Sequence, residues 1–239
     1  MKFKMSILLL FVFFLFFANA TETKAMNTGF SVEELSREEK DNFLSNTSIS
    51  LLQTMPSRKS IQCFDVNDKE MIAIGQENIF KKQICVYSAS GDFLYGYEFN
   101  SHGSFAVEWD EDVLNIYFSR GNFIVSVNKD GEVSDIKKVA DTTANNSYIN
   151  DLLYSTSKVR GDKEYILQNN IGSFLDFFAS SYSQLVVKDS NGETNIVYDV
   201  NSTMLFYMIT KTVITIFFVS TVIIFIMQKS RKAKKTAND

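Results

Sequence analysis

The side chains able to do chemistry in this chain are few and far apart. They are one histidine (His102), two cysteines (Cys63 and Cys85), the acidic run Glu108-Trp109-Asp110-Glu111-Asp112, one lysine (Lys211) inside an apolar stretch, and a basic C-terminal group. His102 sits in Ser101-His102-Gly103-Ser104, but adjacency does not make a nucleophile–base pair. No GxSxG, HExxH or phosphate-cradling glycine loop accompanies it. One His and two Cys are too few soft ligands for a zinc or iron–sulfur centre. The acidic run has the oxygens a calcium ion wants, yet no glycine at its bend and no partner loop elsewhere, so a solvated turn between strands is its expected role. No catalytic residue, metal or cofactor is expected.

The two ends carry the clearest signals. Lys2 and Lys4, the apolar run Met5–Phe17 and the small-residue site Ala18-Asn19-Ala20 have the three parts of a signal peptide, residues 1–20. A second apolar stretch, 204–227, spans about 36 Å as a helix, enough to cross a bilayer with some tilt. Its unbroken part, 213–227, covers only about 22 Å, so the span has to include Lys211. Two readings of Lys211 stay open: it snorkels to the outer interface, or it pairs with an acidic group on a partner helix. Lys229, Arg231, Lys232, Lys234 and Lys235 then crowd the tail 228–239, and positive charge at a membrane edge marks the cytoplasmic side. The expected topology is a single pass in the cell membrane, N-terminus extracytoplasmic and C-terminus cytoplasmic, with the lipid bilayer as one partner.

Between these ends, residues 21–203 carry 16 Lys and Arg against 27 Asp and Glu, a net charge of −11. Such an excess repels phosphate backbones, which excludes nucleic acid as a partner. It should also hold the domain away from an anionic membrane surface.

The elements that position these residues read as strands. Residues 21–60 are polar, a linker with one short helix opened by the capping box Ser31-Val32-Glu33-Glu34 and running to about Phe43. From Ile61 onward, short β-rich runs alternate with turns. Ser88-Ala89-Ser90-Gly91, Asn128-Lys129-Asp130-Gly131 and Asp189-Ser190-Asn191-Gly192 share one pattern, a small polar residue followed three positions later by glycine. That is the chemistry of a type I turn closed by a left-handed glycine. Each lies between two β-runs. The segment 114–131 aligns with 175–192 without a gap at a shift of 61 positions. The units are then 61–99, 103–139 and 163–200, with an insertion at 140–162 holding a short helix near Tyr148–Leu153.

Four short strands in just under forty residues is the length of a propeller blade. On VYSASG, VNKDG, VVKDSNG and this unit length, the segment 61–200 resembles the blade repeats of NHL- and YVTN-like β-propellers. The resemblance implies an all-β ectodomain of three four-stranded propeller-like meander units, followed by a single C-terminal transmembrane helix. Three units are too few to close a ring, so the array is expected to be open, with a homo-oligomer as one way to complete it. Oxidising surroundings make a Cys63–Cys85 disulfide the default. The blade arrangement instead places the two on strands about 9.6 Å apart, beyond the roughly 7 Å reach of a disulfide, and argues for free thiols. The expected function is a membrane-anchored binding or scaffolding module with an extracytoplasmic or membrane protein partner. The alternatives are an accessory subunit of a transporter or sensor assembling through Lys211, and an extracytoplasmic enzyme.

Overall fold

The computed structural model describes residues 26–77 and 81–236, the last nine by backbone alone; the signal-peptide segment 1–20 lies outside the described residues. Strand β1 (Val32–Glu34), helix α1 (Arg37–Asn46) and strand β2 (Ile49–Leu52) come first. Strands β3 (Ile61–Val66), β4 (Ile72–Glu77), β5 (Lys82–Tyr87) and β6 (Phe93–Phe99) follow, then β7 (Phe105–Asp110), β8 (Val113–Phe118), β9 (Phe123–Val127) and β10 (Val133–Val139). The remainder is α2 (Thr143–Tyr154), β11 (Ser157–Arg160), β12 (Lys163–Gln168), α3 (Ser173–Phe178), β13 (Gln184–Lys188), β14 (Thr194–Asp199) and α4 (Asn201–Thr236).

These strands make three antiparallel sheets. The first has the order β2-β6-β5-β4-β3, the second β1-β10-β9-β8-β7, and the third β11-β12-β13-β14. The first sheet is the middle layer. Alternate side chains of β4 and β5 point to opposite faces: Ala73, Ile84 and Val86 join Phe105, Val107 and Ile116 of the second sheet. Ile72, Ile74, Cys85 and Tyr87 join Tyr165, Leu185 and Val197 of the third. Burial on both faces explains why β4 and β5 read as apolar runs rather than alternating patterns. The outer face of the second sheet is sealed by Phe30 and by Leu152, Tyr148 and Ile149 of α2 against Ala106, Tyr117 and Ile124.

The three glycine turns are built alike. In each, the glycine N–H donates to the carbonyl of the small polar residue, at 3.0 Å for Gly91, 2.9 Å for Gly131 and 3.0 Å for Gly192. The side-chain oxygen of Ser88, Asn128 or Asp189 accepts from the N–H four residues on, at 3.1, 2.9 and 2.9 Å.

Elsewhere the expected layout needs correction. Two sheets have five strands rather than four, because the N-terminal segment is not a linker: β1 pairs with β10 and β2 with β6, closing the outer edges of the second and first sheets. The helix also starts later. Ser31-x-x-Glu34 and Ser36-x-x-Glu39 both match a capping box, but Val32 is held opposite Val139 in a strand, and Ser36 with Glu39 caps α1. In the third sheet, the alignment at a shift of 61 holds for β9 with β13 but not for β8, whose counterpart is helix α3. Lys163–Gln168 is the second strand of that sheet, and its first, β11, lies inside the expected insertion together with α2. A short apolar run such as Phe174-Leu175-Asp176-Phe177-Phe178 carries too few residues for its period to separate strand from helix.

Candidate functional site

Antiparallel pairing gives the domain two ends. One, the turn end, carries the connections β3–β4, β5–β6, β7–β8, β9–β10, β11–β12 and β13–β14. There the sheets are latched together by Lys69–Asp112 at 2.5 Å and Lys163–Glu70 at 2.6 Å. The other, the helix end, carries the remaining connections and the start of α4.

At the helix end a cavity of about 710 Å³ opens between the first two sheets. Phe43, Phe118 and Phe123 line it, with ring centroids 5.3 Å apart for Phe43–Phe118 and 4.9 Å for Phe43–Phe123. Its polar lining includes Lys81, Lys82, His102 and Arg120, with Glu77 the carboxylate among them. Lys82 is held by Glu77 at 2.5 Å and sits 6.0 Å from the centroid of the Phe105 ring, while Lys81 pairs with Glu98. Arg120 and His102 make no ion pair among the described residues. An aromatic floor under a cationic rim suits an oxyanion carrying an apolar body.

A second cavity, about 490 Å³, separates the first turns of α4 from the feet of the first and third sheets. Lys59, Glu77 and Ser181 line one side, and Met204, Tyr207, Met208 and Lys211 the other. The helical residues recur at three- and four-residue spacing, so one stripe of α4 faces the domain. Lys211, about 15 Å along the helix from Asn201, thus lines a cavity against its own ectodomain. Among the described residues, α4 is the one helix long and apolar enough to cross a membrane, over Asn201–Met227. Lys229, Arg231, Lys232, Lys234 and Lys235 continue it, and their side chains lie outside what is described.

The third sheet is built differently from the other two. Among the described residues no fifth strand pairs with its outer edge, β14. Leu185 and Val187 point into the core, so Val186 faces outward beside Ile166 and Ile196, its partners on β12 and β14. Ile196 is 50% exposed and Val159 on β11 62%.

The acidic run does not converge. Glu108 accepts from Thr28 Oγ1 at 2.6 Å, from Gly29 N–H at 3.2 Å and from Tyr148 Oη–H; Asp110 accepts from Asn27 N–H at 3.0 Å; Asp112 pairs with Lys69. Burial and the Glu108 carboxylate both push the Tyr148 phenol up. Among the described residues no three His, Cys, Asp or Glu side chains come close enough to hold a metal ion.

Cys63 and Cys85 are free and buried. They point to opposite faces of the first sheet, Cys63 toward the second sheet and Cys85 toward the third. Burial pushes the Cys63 thiol up to about 12 and the Cys85 thiol up to about 11. Asn145, in the N-x-Ser/Thr sequon Asn145-Asn146-Ser147, is also buried, its amide bonded to both Ser31 N–H and Ser31 carbonyl.

Sequence reasoning passed over Asp65. It lies 1% exposed on β3, accepting from Trp109 N–H at 2.7 Å and pairing with Lys158 at 2.9 Å, so one carboxylate joins all three sheets. The available signal was a lone acid inside the apolar run Ile61–Val66. Compared with known families, curated proteins and solved structures, the chain finds no match.

Proposed function

We propose that this chain is a single-pass membrane protein that displays an extracytoplasmic array of propeller-like β units as a binding or scaffolding module. Its basic tail lies in the cytoplasm and its N-terminus outside. The supporting observation is that the array has one finished end and one unfinished end. The second sheet is sealed by α2 and Phe30 and edged by β1, whereas the third presents Val159 and Ile196 to solvent beside β14, which no further strand extends among the described residues. Apolar side chains grouped on a sheet face are where a further sheet would pack, and an open edge accepts another strand. The natural occupant is a sheet from a protein partner, and a second copy anchored in the same membrane satisfies the same geometry.

Lys211 bears on the alternative in which α4 assembles with a transporter or sensor. That reading needs Lys211 among partner helices, and its place in a cavity beside Lys59 and Glu77 favours the binding module instead.

A photo-crosslinker placed at Ile196 or Val159 in the membrane-bound chain should give a discrete adduct. The same probe at Leu44 on α1, 39% exposed and on the helix whose Phe43 packs against Phe118 and Phe123 of the second sheet, should give none. Adducts of equal yield at all three positions, or at none, would remove the proposal.

A further inference from the structure

Charge is distributed unevenly along the domain, and the unevenness coincides with the position of α4. At the turn end the three glycine hairpins alone carry Asp92, Asp130, Glu132, Asp189 and Glu193 against Lys129. Around the two cavities of the helix end, Glu77 is engaged with Lys82, Glu98 with Lys81 and Gln83, and Asp199 with Gln184 and the Asn201 N–H, while Asp141, Asp151 and Asp176 lie in other connections of that end, outside both linings. Lys59, Arg120 and Lys211 at the same end make no ion pair among the described residues. An ectodomain of net charge −11 therefore carries a cationic foot around these two cavities, where Lys59, Lys81, Lys82, Arg120 and Lys211 line the walls against one carboxylate, Glu77, at the end from which an apolar helix of membrane-crossing length departs.

We propose that this foot rests on the phosphates of anionic lipid headgroups in the bilayer that α4 crosses, with Lys59, Arg120 and Lys211 facing the headgroup layer. Lys59 and Lys211 line the cavity between α4 and the domain, which opens where the helix leaves the protein. Arg120 lines the neighbouring cavity, which shares Glu77 with the first and to which the loop 100–103 supplies His102. Charge complementarity names the occupant: a headgroup layer is a dense anionic plane, and juxtamembrane lysines and arginines are drawn to it. The overall acidity of the ectodomain points the rest of the surface away from the membrane, so the two signs together hold the domain upright. The inference rests on α4 spanning the bilayer.

The test uses the full chain reconstituted into vesicles of phosphatidylcholine, with or without phosphatidylglycerol, and follows backbone hydrogen exchange. Flotation with the vesicles checks the spanning helix separately; a chain that stays in solution overturns that premise. With phosphatidylglycerol present, amides of 100–104 and 119–122 should exchange several-fold more slowly, while those of the turn Ser88–Asp92 should not change. In Lys59→Glu with Arg120→Glu, the lipid-dependent slowing should vanish, with the Ser88–Asp92 amides again reporting an intact fold. Equal exchange of the two loops in both lipids overturns the proposal. So does equal slowing in pure phosphatidylcholine on adding inorganic phosphate, which would make the foot a site for free anions.

Discussion

Asp65 is the sole acidic residue of β3, and removing it should be felt in all three sheets. Its side chain is 2% exposed and that of its partner Lys158 14%, so Asp65→Ala leaves a largely buried ammonium and the Trp109 N–H without an acceptor. The expected loss is about 3 kcal/mol, read from the urea midpoint. Asp65→Leu combined with Lys158→Met should recover only part of it: the broken pair is replaced on both sides, but the Trp109 N–H and Arg160, 3.6 Å from Asp65, still lose their acceptor. The buried thiols give a second residue-scale prediction. Folding holds Cys63 and Cys85 neutral up to about 12 and 11, whereas an unfolded thiol ionises near 8.5. The unfolded chain therefore releases protons first as pH rises. Stability present below that range should fall between roughly pH 8.5 and 11, by up to about 1.4 kcal/mol per pH unit per thiol. The buried phenols of Tyr87 and Tyr198, pushed up chiefly by desolvation, add to the loss in the same sense above their own unfolded value. Urea midpoints across this window measure the effect, and Cys63→Ala should flatten part of it. Thiol reagents near neutral pH should label neither cysteine until the chain unfolds.

At the scale of elements, the three glycine hairpins are one design in three surroundings. Gly91 and Gly192 have φ of +84° and +83°, a region where a Cβ is strained. A Cβ on Gly192 would meet nothing within 4 Å, so Gly192→Ala should cost about 1 kcal/mol from backbone strain alone. A Cβ on Gly91 would lie 2.5 Å from the Val197 carbonyl oxygen, so Gly91→Ala adds a backbone collision between the first and third sheets. It should cost clearly more, and paired denaturation curves test the ordering. These turns were legible in the sequence because their chemistry is local. The strand order of the third sheet was not. Helix α3 stands where β8 has its counterpart, and β11 occupies the polar segment before it, because whether a short run becomes helix or strand depends on what it packs against.

In the whole molecule, the first sheet depends on both neighbours. A chain ending after Tyr154, which keeps α2 on the second sheet, would strip the third sheet from Phe64, Ile72, Ile74 and Tyr87, all at most 1% exposed in the full protein. Re-exposing four large side chains at roughly 2 kcal/mol each approaches the full stability of a typical domain. The expected product is aggregated or molten, with raised dye binding and no discrete monomer by gel filtration. A well-folded monomer would show that the first two sheets form an independent core.

The sequence by itself determined what short-range chemistry controls: the hairpin turns, the β-rich stretch from Ile61, and an apolar helix of crossing length, since each depends on residue types within a few positions of one another. Tertiary structure alone decided which sheet lies in the middle, that the polar N-terminal segment supplies edge strands, and that Asp65 is a buried hub. It also gathered Lys59, Arg120 and Lys211 at one end, from positions up to 152 residues apart. The reason is physical: side-chain burial and summed charge depend on which surfaces meet, and surfaces that meet across 60 to 150 residues leave no local pattern in the chain.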